Sequence, residues 1–579
     1  ATVLEKSNLY LKDFLGTLVP FFMDEAVLLA YSRSVFVDEQ GRPASFSFET
    51  YLSELSAERW RHSYVAASHE EVARYLGRKN TIPNVSSALF RKPDLGPLVR
   101  DNQWLSMKVC GDWILYLHLL QGGKIGYSAD TRNYFRFHRS NSSAKTYATA
   151  TYYREHAAVA CEIARKYSVP DETLDANKAF VKRFFDAHAR EMTPGLDFSD
   201  VYDTADIGRC RLERRPNLMI ASFAFATGGG EVFPIRLANH LKKKGYPVTF
   251  FNFNGAACKP AVREMLRPCI PVVERNVCGP VIGTLLEQLG IEIIHSHHAS
   301  VDVFFGERCR DLSSPPKHVV TMHGMYETME DATFHRAVET LADEVSAWIY
   351  LADKNLHPFV TRGIELRGPF VKIANGMDPP VIKALKKADY GIPRDSFLVC
   401  LASRALPQKG WDKAVEIVRI AREETGIDIH LLLLGDGPVY EEMKSRDCHD
   451  FVHLLGFRRN VVDFFAMSDL GLLPTTFEGE SFPLCIIECM MAGKPMQATD
   501  IGEVRNLLSD TNGNLAGCLI QAHNGDVDVA AAAHDLAALA RRDDRYRRRQ
   551  SLAGKLSKRY ELKNIVGAYE RVYGVEASL

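Results

Sequence analysis

The feature that most constrains the fold is an alternation between short apolar runs and stretches of helical periodicity, carried from about residue 216 to residue 520. Each run is nearly continuous in hydrophobic side chains. A parallel sheet covered by helices requires such runs, because both faces of every strand are buried. The alternation therefore predicts α/β units in which strands and crossover helices follow one another.

The runs form two groups, separated at Pro379-Pro380. Strands are predicted in the first group at 218–221, 248–251, 291–294, 318–321, 348–351 and 370–373, and in the second at 397–401, 430–434, 452–455, 470–473, 496–499 and 518–520. Helices of the second group are predicted at 411–424, 459–466 and 484–493. Two consecutive doubly wound units predict two Rossmann-like domains, 213–380 and 381–579, which face a cleft where ligands bind at the carboxyl ends of the strands.

The remaining chain has a different pattern. Residues 1–145 mix aromatic-rich stretches with one strong helical pattern near 111–121, and predict a separate α/β module. Residues 146–212 are rich in alanine and charge with helical periodicity, and predict a helical connector.

Composition excludes several functions. With a formal net charge of -1, the 579-residue chain has no electrostatic footprint for nucleic acid. Its 12 cysteines are scattered without a C-x-x-C pair, which argues against a zinc site or disulfide framework and favours a reducing cytoplasm. No apolar stretch of about 20 residues and no signal peptide is found. A chain that begins at Ala1 without Met is interpreted as processed or trimmed.

Two carboxylates, Glu480 and Glu488, lie eight positions apart across a predicted junction between a loop and a helix. Pro483 suits the first turn of that helix, because its φ is fixed and no amide hydrogen is needed there. Glu480 then stays in the loop and Glu488 lies about one turn into the helix. Free amides at the helix start form an anion pocket, so the segment suits a sugar nucleotide. The alternative is a capped surface helix with solvated acids.

Other strand ends carry residues that suit the same ligand. Arg404 and Lys409 lie on one βα loop, where two cations could clamp a diphosphate or remain solvated. Gly229 and Gly230 let the backbone approach a ligand closely, or simply form a turn. His323 ends a strand and either reaches the cleft or is hydrogen-bonded within its loop. Gly456 and Phe457 end another strand and could frame a base.

The run His295–His298 superficially suggests a metal cluster. Adjacent strand residues point to opposite faces, so metal binding there is improbable.

As a set, these residues resemble the retaining glycosyltransferases of family 4, which have the GT-B fold. The resemblance covers about 216–579 and rests on Glu480 and Glu488 within a Glu-Ser-Phe-Pro variant of the family's Glu-Gly-Phe-Gly loop. Further matching segments are Gly229–Glu231, His323-Gly324, Asn375–Asp378, the pair Arg404 and Lys409, and Glu488–Pro495.

The resemblance implies a role for each site residue. Arg404 and Lys409 bind the donor diphosphate and assist its departure, Glu488 holds the ribose hydroxyls, and Glu480 holds the sugar hydroxyls near the reacting carbon. His323 contacts the donor sugar from the opposite domain. By the same resemblance, the backbone amides of Ser481, Phe482 and Leu484 bind phosphate. Gly229 and Gly230 let the first domain close over the donor.

The implied activity is metal-independent transfer with retention from a UDP- or GDP-linked donor, with no cofactor. The negative charge that develops on the leaving diphosphate is stabilised by fixed cations and helix dipoles. The expected acceptor is a glycan or lipid-linked oligosaccharide of bacterial surface polysaccharide synthesis, of O-antigen or capsule type. The alternatives are an epimerase or phosphorylase of the same fold, and a non-catalytic sugar-nucleotide-binding or scaffold subunit.

Residues 1–145 resemble the C-terminal half of a family 2 glycosyltransferase of the GT-A fold, through 80–91, 111–113 and 134–138. That resemblance implies Asp112 as a candidate base and His138 near a metal. The expected acidic metal site is missing, since Ser7 and Asn8 of the nearest segment cannot replace two carboxylates. A packing or acceptor-positioning role is therefore favoured over independent activity.

The basic segment 541–549 has helical periodicity. It is interpreted either as the solvated face of a helix, which is favoured, or as a peripheral contact with anionic lipid of the inner membrane. A final helix near 561–574 is predicted to cross back onto the first Rossmann-like domain.

Overall fold

In the computed structural model, the described residues are 8–10, 13–44, 47–93, 103–136, 146–192, 194–446, 448–523 and 525–575. They form an N-terminal α/β module, a helical connector and two Rossmann-like domains. Among the helices of these ranges, none is both long enough and apolar enough to cross a bilayer.

The first Rossmann-like domain is built on a seven-stranded sheet in which every pairing is parallel. Its strands lie side by side in the order Phe370–Lys372, Val345–Tyr350, Lys317–Met322, Ile293–Ser296, Leu218–Ser222, Val248–Asn252 and Val272–Glu274. The six predicted strands are present, and the seventh, Val272–Glu274, was not predicted. Its helices are Gly229–Lys243, Pro260–Arg263, Arg275–Cys278, Ile282–Gln288, Ala299–Cys309, Asp331–Leu341 and His357–Thr361.

The second domain has a six-stranded parallel sheet. Its order is Val452–Gly456, Ile429–Leu434, Phe397–Ala402, Leu470–Leu473, Met496–Thr499 and Gly517–Ile520. Its helices are Trp411–Thr425, Pro438–Ser445, Val461–Met467, Leu484–Met491, Val504–Leu508, Val529–Ala540, Asp544–Leu556 and Leu562–Tyr573. The predicted two-domain α/β fold is therefore confirmed.

Each sheet reverses its strand order between its first and fourth strands. In the second domain these strands are Phe397–Ala402 and Leu470–Leu473. In the first they are Leu218–Ser222 and Ile293–Ser296. Ligands of open α/β sheets bind at such switch points, outside the carboxyl ends of the strands.

The last helix, Leu562–Tyr573, packs on the first domain although it follows the second in sequence. The Tyr573 hydroxyl lies 2.8 Å from His295 Nδ1, and Lys317 Nζ donates to the Val572 carbonyl at 2.6 Å. Lys244 also pairs with Glu570 at 2.7 Å. These contacts tie the two domains together.

The N-terminal module has a five-stranded mixed sheet with strands Asn8–Tyr10, Val27–Val37, Tyr64–Ala67, Ala88–Phe90 and Lys124–Arg136. Its described helices are Phe14–Leu18, Phe48–Ser53, Ser68–Glu71 and Gly111–Leu119, and the connector consists of Ala150–Lys166, Asp171–His188 and Thr204–Leu212. The Glu155 carboxylate accepts from the amides of Lys108, Val109 and Cys110 at 2.7–3.0 Å, which fixes the connector to the module. The module also contacts the first Rossmann-like domain, where Thr249 donates to the Gly122 carbonyl at 2.6 Å.

Candidate active site

A cleft of about 980 Å³, including its open mouth, lies between the two Rossmann-like domains. The second domain contributes most of its lining, from the loops that follow Phe397–Ala402, Ile429–Leu434, Val452–Gly456 and Leu470–Leu473. The first domain contributes the turn Thr227–Gly229 and the helix behind it. Both switch points therefore face one cavity.

Lys409 and Glu480 form an ion pair on the wall of the second domain. Both side chains are buried, and the Lys409 ammonium also lies 4.6 Å from the centre of the Phe477 ring. Gly410 follows Lys409 with a φ of 72°, and a Cβ there would overlap with the Pro474 carbonyl. The backbone thus holds Lys409 against the loop that carries Glu480, so that a fixed cation faces the cleft.

Arg404 reaches toward the glycine turn of the first domain. A Cβ on Gly228 would overlap with the Glu231 carboxylate and lie 3.8 Å from Arg404 Nε. Burial raises the pKa of Glu231, and the Arg404 guanidinium counteracts that rise. Within the described ranges, the Arg404 side chain has no hydrogen bond or ion pair of 4 Å or less, so its charge is available to a ligand in the cleft.

Glu488 is paired with Arg236 of the first domain. Glu488 is the fifth residue of the helix Leu484–Met491, as predicted, whereas Pro483 is the N-cap and not part of the first turn. The pair spans the cleft, and both side chains are largely buried. Sequence reasoning missed Arg236, which lies in the helix after the glycine turn and has no motif around it.

His323 lies where the strand Lys317–Met322 ends, on the first domain. Its Nε2 is 3.0 Å from Nδ1 of His297, and its Cβ lies 3.4 Å from the position of a Cβ on Gly230. Burial lowers the pKa of His323 to about 3, so the ring is neutral at ordinary pH. His323 is not among the residues that line the cavity, and it lies directly behind the glycine turn.

The loop before Glu480 is in van der Waals contact with the loop after His323. Gly324 has a φ of 94°, and a Cβ there would overlap with the Gly479 carbonyl. Lys354 of the first domain donates to the Glu478 carbonyl. Only a glycine fits at this crossing, which sets the distance between the Glu480 loop and the first domain.

The predicted phosphate-binding residues separate into two groups. Leu484 lines the cavity, together with Pro483. Ser481 and Phe482 do not: the Ser481 hydroxyl accepts from Asn355 Nδ2 at 2.8 Å, and the Phe482 ring packs on Tyr560. Their side chains hold the loop against the first domain and the C-terminal segment.

Of the predicted glycines and the base-framing pair, Gly229 and Phe457 line the cavity. A Cβ on Gly229 would lie 3.6 Å from Leu484 Cγ, so the glycine turn approaches the helix start closely. Gly456 has a φ of 68° and turns the chain so that Phe457 enters the cleft.

A second contact across the cleft was also missed. Asp436 of the second domain pairs with Lys259 and lies 3.4 Å from the Thr227 hydroxyl, both in the first domain. The sequence Gly435–Pro438 looks like a turn, and the partner lies 177 residues away in sequence. Proximity of this kind depends on how the two domains are placed.

The two predicted GT-A residues lie far from this cleft in sequence. Asp112 is in the first turn of the helix Gly111–Leu119 of the N-terminal module. His138 lies outside the described residues. The GT-A resemblance remains a prediction.

The histidine run 295–298 does not bring three potential ligand atoms within 4.8 Å of one another. His295 and His297 lie with ring centres 4.1 Å apart, while His298 stacks on Phe223 at 4.3 Å. Within the described ranges, three potential ligand atoms lie within 4.8 Å of one another at Cys161, Asp206 and Cys210. That group is in the connector.

Two Rossmann-like domains with a charged cleft at their switch points define the GT-B fold. Two family models match the chain in those domains: Glycosyltransferase Family 4 over residues 227–362, and Glycosyl transferases group 1 over residues 396–539. HepE of Anabaena, solved in complex with UDP and glucose, has the same fold with a TM-score of 0.51 and 18% identity, covering 62% of this chain and 100% of HepE.

Curated relatives are similar over the same region. N-acetyl-alpha-D-glucosaminyl L-malate synthase of Bacillus anthracis is 26% identical over 242 residues, 39% of this chain and 61% of the relative. UDP-Gal:alpha-D-GlcNAc-diphosphoundecaprenol alpha-1,3-galactosyltransferase of Escherichia coli is 24% identical over 254 residues, which cover 41% of this chain and 62% of the relative. The chain thus spans about three fifths of the length of these relatives.

Proposed function

We propose that this protein is a retaining, metal-independent glycosyltransferase. It moves a sugar from a UDP- or GDP-linked donor to a glycan or lipid-linked oligosaccharide. The observation that carries the proposal is the grouping of Arg404, Lys409, Glu480 and Glu488 on one wall of the cleft. The family matches over both domains support it.

The charges of this wall suit departure of a nucleoside diphosphate. Lys409 is buried and already held by Glu480, so it needs no rearrangement when negative charge develops on the leaving oxygen. Preorganised charge in a site that excludes water stabilises a transition state more than the same charge in water. Arg404 supplies a second cation from the same βα loop. Together they take the part that a divalent cation plays in other transferases.

The carboxylates suit the hydroxyls of the donor. Glu488 lies one turn into a helix and can accept from ribose hydroxyls once Arg236 moves aside. Glu480 can accept from a sugar hydroxyl with its free oxygen while it holds Lys409. An acceptor hydroxyl then attacks the oxocarbenium-like carbon from the face that the diphosphate leaves, which retains the configuration.

The acceptor is proposed to be a lipid-linked or surface glycan of the O-antigen or capsule type. The Escherichia coli relative acts, by its name, on a diphosphoundecaprenol-linked sugar. The helix Asp544–Leu556 exposes Arg545, Arg547 and Arg548, which could contact anionic lipid at the inner face of the bacterial membrane. The N-terminal module, packed on the first Rossmann-like domain, is proposed to position the acceptor.

Incubation with a panel of UDP- and GDP-sugars, with and without chelator, tests the proposal. We expect release of the nucleoside diphosphate from at least one donor, unchanged by chelator, and a product with the anomeric configuration of the donor by NMR. Inhibition by chelator would contradict the metal-independent mechanism. Tight binding of a nucleotide sugar without hydrolysis or transfer from any donor would instead indicate a non-catalytic binding or scaffold subunit.

A further inference from the structure

A pair of histidines lies behind the glycine turn of the first domain. His323 Nε2 and His297 Nδ1 are 3.0 Å apart, a hydrogen-bond distance. His297 is 2% exposed, and its Nε2 is buried with no hydrogen-bond partner within the described ranges. His323 is only half-buried, and its Nδ1 has no partner in those ranges either.

Neither ring carries a charge at ordinary pH. Burial lowers the pKa of His297 well below its usual value, and positive charge on His295 or His323 would lower it further. The pKa of His323 falls to about 3 through burial, with His298 acting in the same direction. The groups that act on the two rings are the other histidines of the run, and no carboxylate among them favours a proton. Each neutral ring therefore holds one proton, on either Nδ1 or Nε2.

The buried surroundings of His297 decide where its proton lies. If the proton were on Nε2, a buried N–H group would have no acceptor, which is rare and costly. With the proton on Nδ1, His297 donates to His323, and only an unprotonated nitrogen stays unpaired. His323 then accepts at Nε2, so its own proton must be on Nδ1.

We propose that His297 is a positioning residue that fixes His323 as the Nδ1–H tautomer. Nδ1 of His323, which lies behind the glycine turn, is then a hydrogen-bond donor, so a donor sugar that reaches this ring must present an acceptor oxygen to it. This inference rests on the proposed function, because it assigns the polarity of the sugar contact in the same cleft. His297 itself does not touch the substrate.

His295 holds His297 in place. The two rings lie 4.1 Å apart, and His295 is fixed at both nitrogens, by the Tyr573 hydroxyl at 2.8 Å and the Thr321 hydroxyl at 2.7 Å. Tyr573 belongs to the helix that returns from the second domain. The His297 ring, which sets the tautomer, therefore packs on a histidine that is hydrogen-bonded to the helix joining the two domains.

The tautomer is measurable without activity. In the full chain labelled with ¹⁵N-histidine, two-bond ¹H–¹⁵N correlations report which nitrogen of each ring is protonated, and His323→Gln assigns the signal. We expect the wild type to show His323 protonated at Nδ1. His297→Asn, whose amide NH₂ takes the place of Nδ1–H, should keep that pattern, and His297→Phe should lose it. A wild-type His323 protonated at Nε2, or a His297→Phe variant with an unchanged pattern, would overturn the proposal.

Kinetics with the active donor separate positioning from stability. His297→Phe should lower kcat about tenfold, with KM for the donor changed less than about threefold, because orientation and not binding is lost. His297→Asn should restore kcat, and His297→Phe combined with His323→Gln should be no slower than His323→Gln alone. If His297→Phe has wild-type kcat while His323→Gln is slow, the role of His297 is refuted and the proposed function stays intact. If no donor is turned over, the proposed function fails, and the tautomer spectrum still decides this inference.

Discussion

Arg236 and Glu488 form an ion pair across the cleft, one from each Rossmann-like domain. Glu488 is the residue assigned to the ribose hydroxyls, so the pair occupies the place where a donor nucleotide is expected to bind. Arg236 also lies 3.7 Å from the Met377 sulfur, in the segment that links the domains. If Glu488 binds the ribose as proposed, binding of a donor replaces this charged contact between the domains.

This arrangement predicts the effect of Arg236→Ala. Removing the guanidinium frees Glu488, and we expect the Kd of the matching nucleoside diphosphate to fall about three- to tenfold in titration calorimetry, as expected for an ion pair worth about 1 kcal/mol. Glu488→Gln should weaken binding. Arg236→Lys, which keeps the charge, is the matched control and should bind like the wild type. If Arg236→Ala weakens binding as much as Glu488→Gln does, Arg236 is itself a ligand of the nucleotide.

Glu480→Gln should remove turnover and spare nucleotide binding. The neutral amide keeps the shape of the side chain but no longer balances the buried Lys409 ammonium or accepts strongly from the sugar. We expect kcat to fall about 100-fold or more, with the Kd of the nucleoside diphosphate changed less than about threefold because its phosphates still meet both cations. Glu478→Gln, two positions earlier and exposed, is the control and should leave kcat unchanged. An active Glu480→Gln enzyme would refute the assigned role.

Gly324→Ala tests the contact between the His323 and Glu480 loops. Gly324 has a φ of 94°, which strains an alanine. The added Cβ would also overlap with the Gly479 carbonyl, so the Glu480 loop must shift. We expect the free energy of unfolding to fall by about 2 to 4 kcal/mol in total, and kcat to be lower. Left-handed backbone alone costs an L-residue about 1–2 kcal/mol, so the remainder comes from the overlap. Gly363→Ala is the matched control, since its φ is 63° and no atom lies within 4 Å of its Cβ. Equal thermal midpoints and full kcat in both variants would show that the contact is not needed.

Buried neutral histidines predict that the protein is less stable in mild acid. Burial lowers the pKa of His318 and of His156 to about 4, below the value of about 6.5 that histidine has in an unfolded chain. The unfolded state therefore binds more protons as pH falls from 6.5 toward 4, so stability is full above pH 6.5 and is lost below it. At pH 5 each of these two histidines lowers the free energy of unfolding by about 2 kcal/mol.

Thermal midpoints at pH 7 and pH 5 measure this loss. His318→Gln, whose amide can still donate to the Ser296 hydroxyl, should reduce the difference between the two midpoints. His534→Gln, at the exposed surface, controls for the substitution itself. Equal pH sensitivity of the wild type and His318→Gln would contradict the assignment of His318.

The predicted strands match the observed bounds to within three residues, the largest difference being 348–351 against Val345–Tyr350, because a strand buried on both faces must be a continuous apolar run. The strand Val272–Glu274 was missed because its apolar run is only Val272-Val273, between Pro271 and Glu274. Arg404, Lys409, Glu480 and Glu488 could be grouped in advance because βα loops of one parallel sheet open at the same edge.

The missed residues share a different cause. Arg236 and Asp436 find their partners in the other domain, and the placement of one domain on another leaves no periodicity or spacing in the sequence. The same reason explains why the contact between the Ser481 hydroxyl and Asn355 of the first domain was not predicted, whereas the role of the Ser481 amide in phosphate binding stays a prediction.

Asn355 of the first domain makes a further testable contact with the loop that carries Glu480. Its carbonyl oxygen accepts from the amides of Leu351 and Ala352 at 3.0 and 2.8 Å, and its NH₂ group donates to Ser481 and to Glu327. Asn355→Asp keeps the two accepted bonds but removes both donated ones and places a second carboxylate beside Glu327. We expect kcat to fall about tenfold, because the Glu480 loop loses its anchor. The thermal midpoint should drop, because two carboxylates then lie side by side in a buried site. Ser481→Ala, which removes only the bond between the domains, should lower kcat with a smaller loss of stability. If Ser481→Ala has wild-type kcat, the anchor acts on stability alone, and the Glu480 loop is held by Gly324 and Lys354.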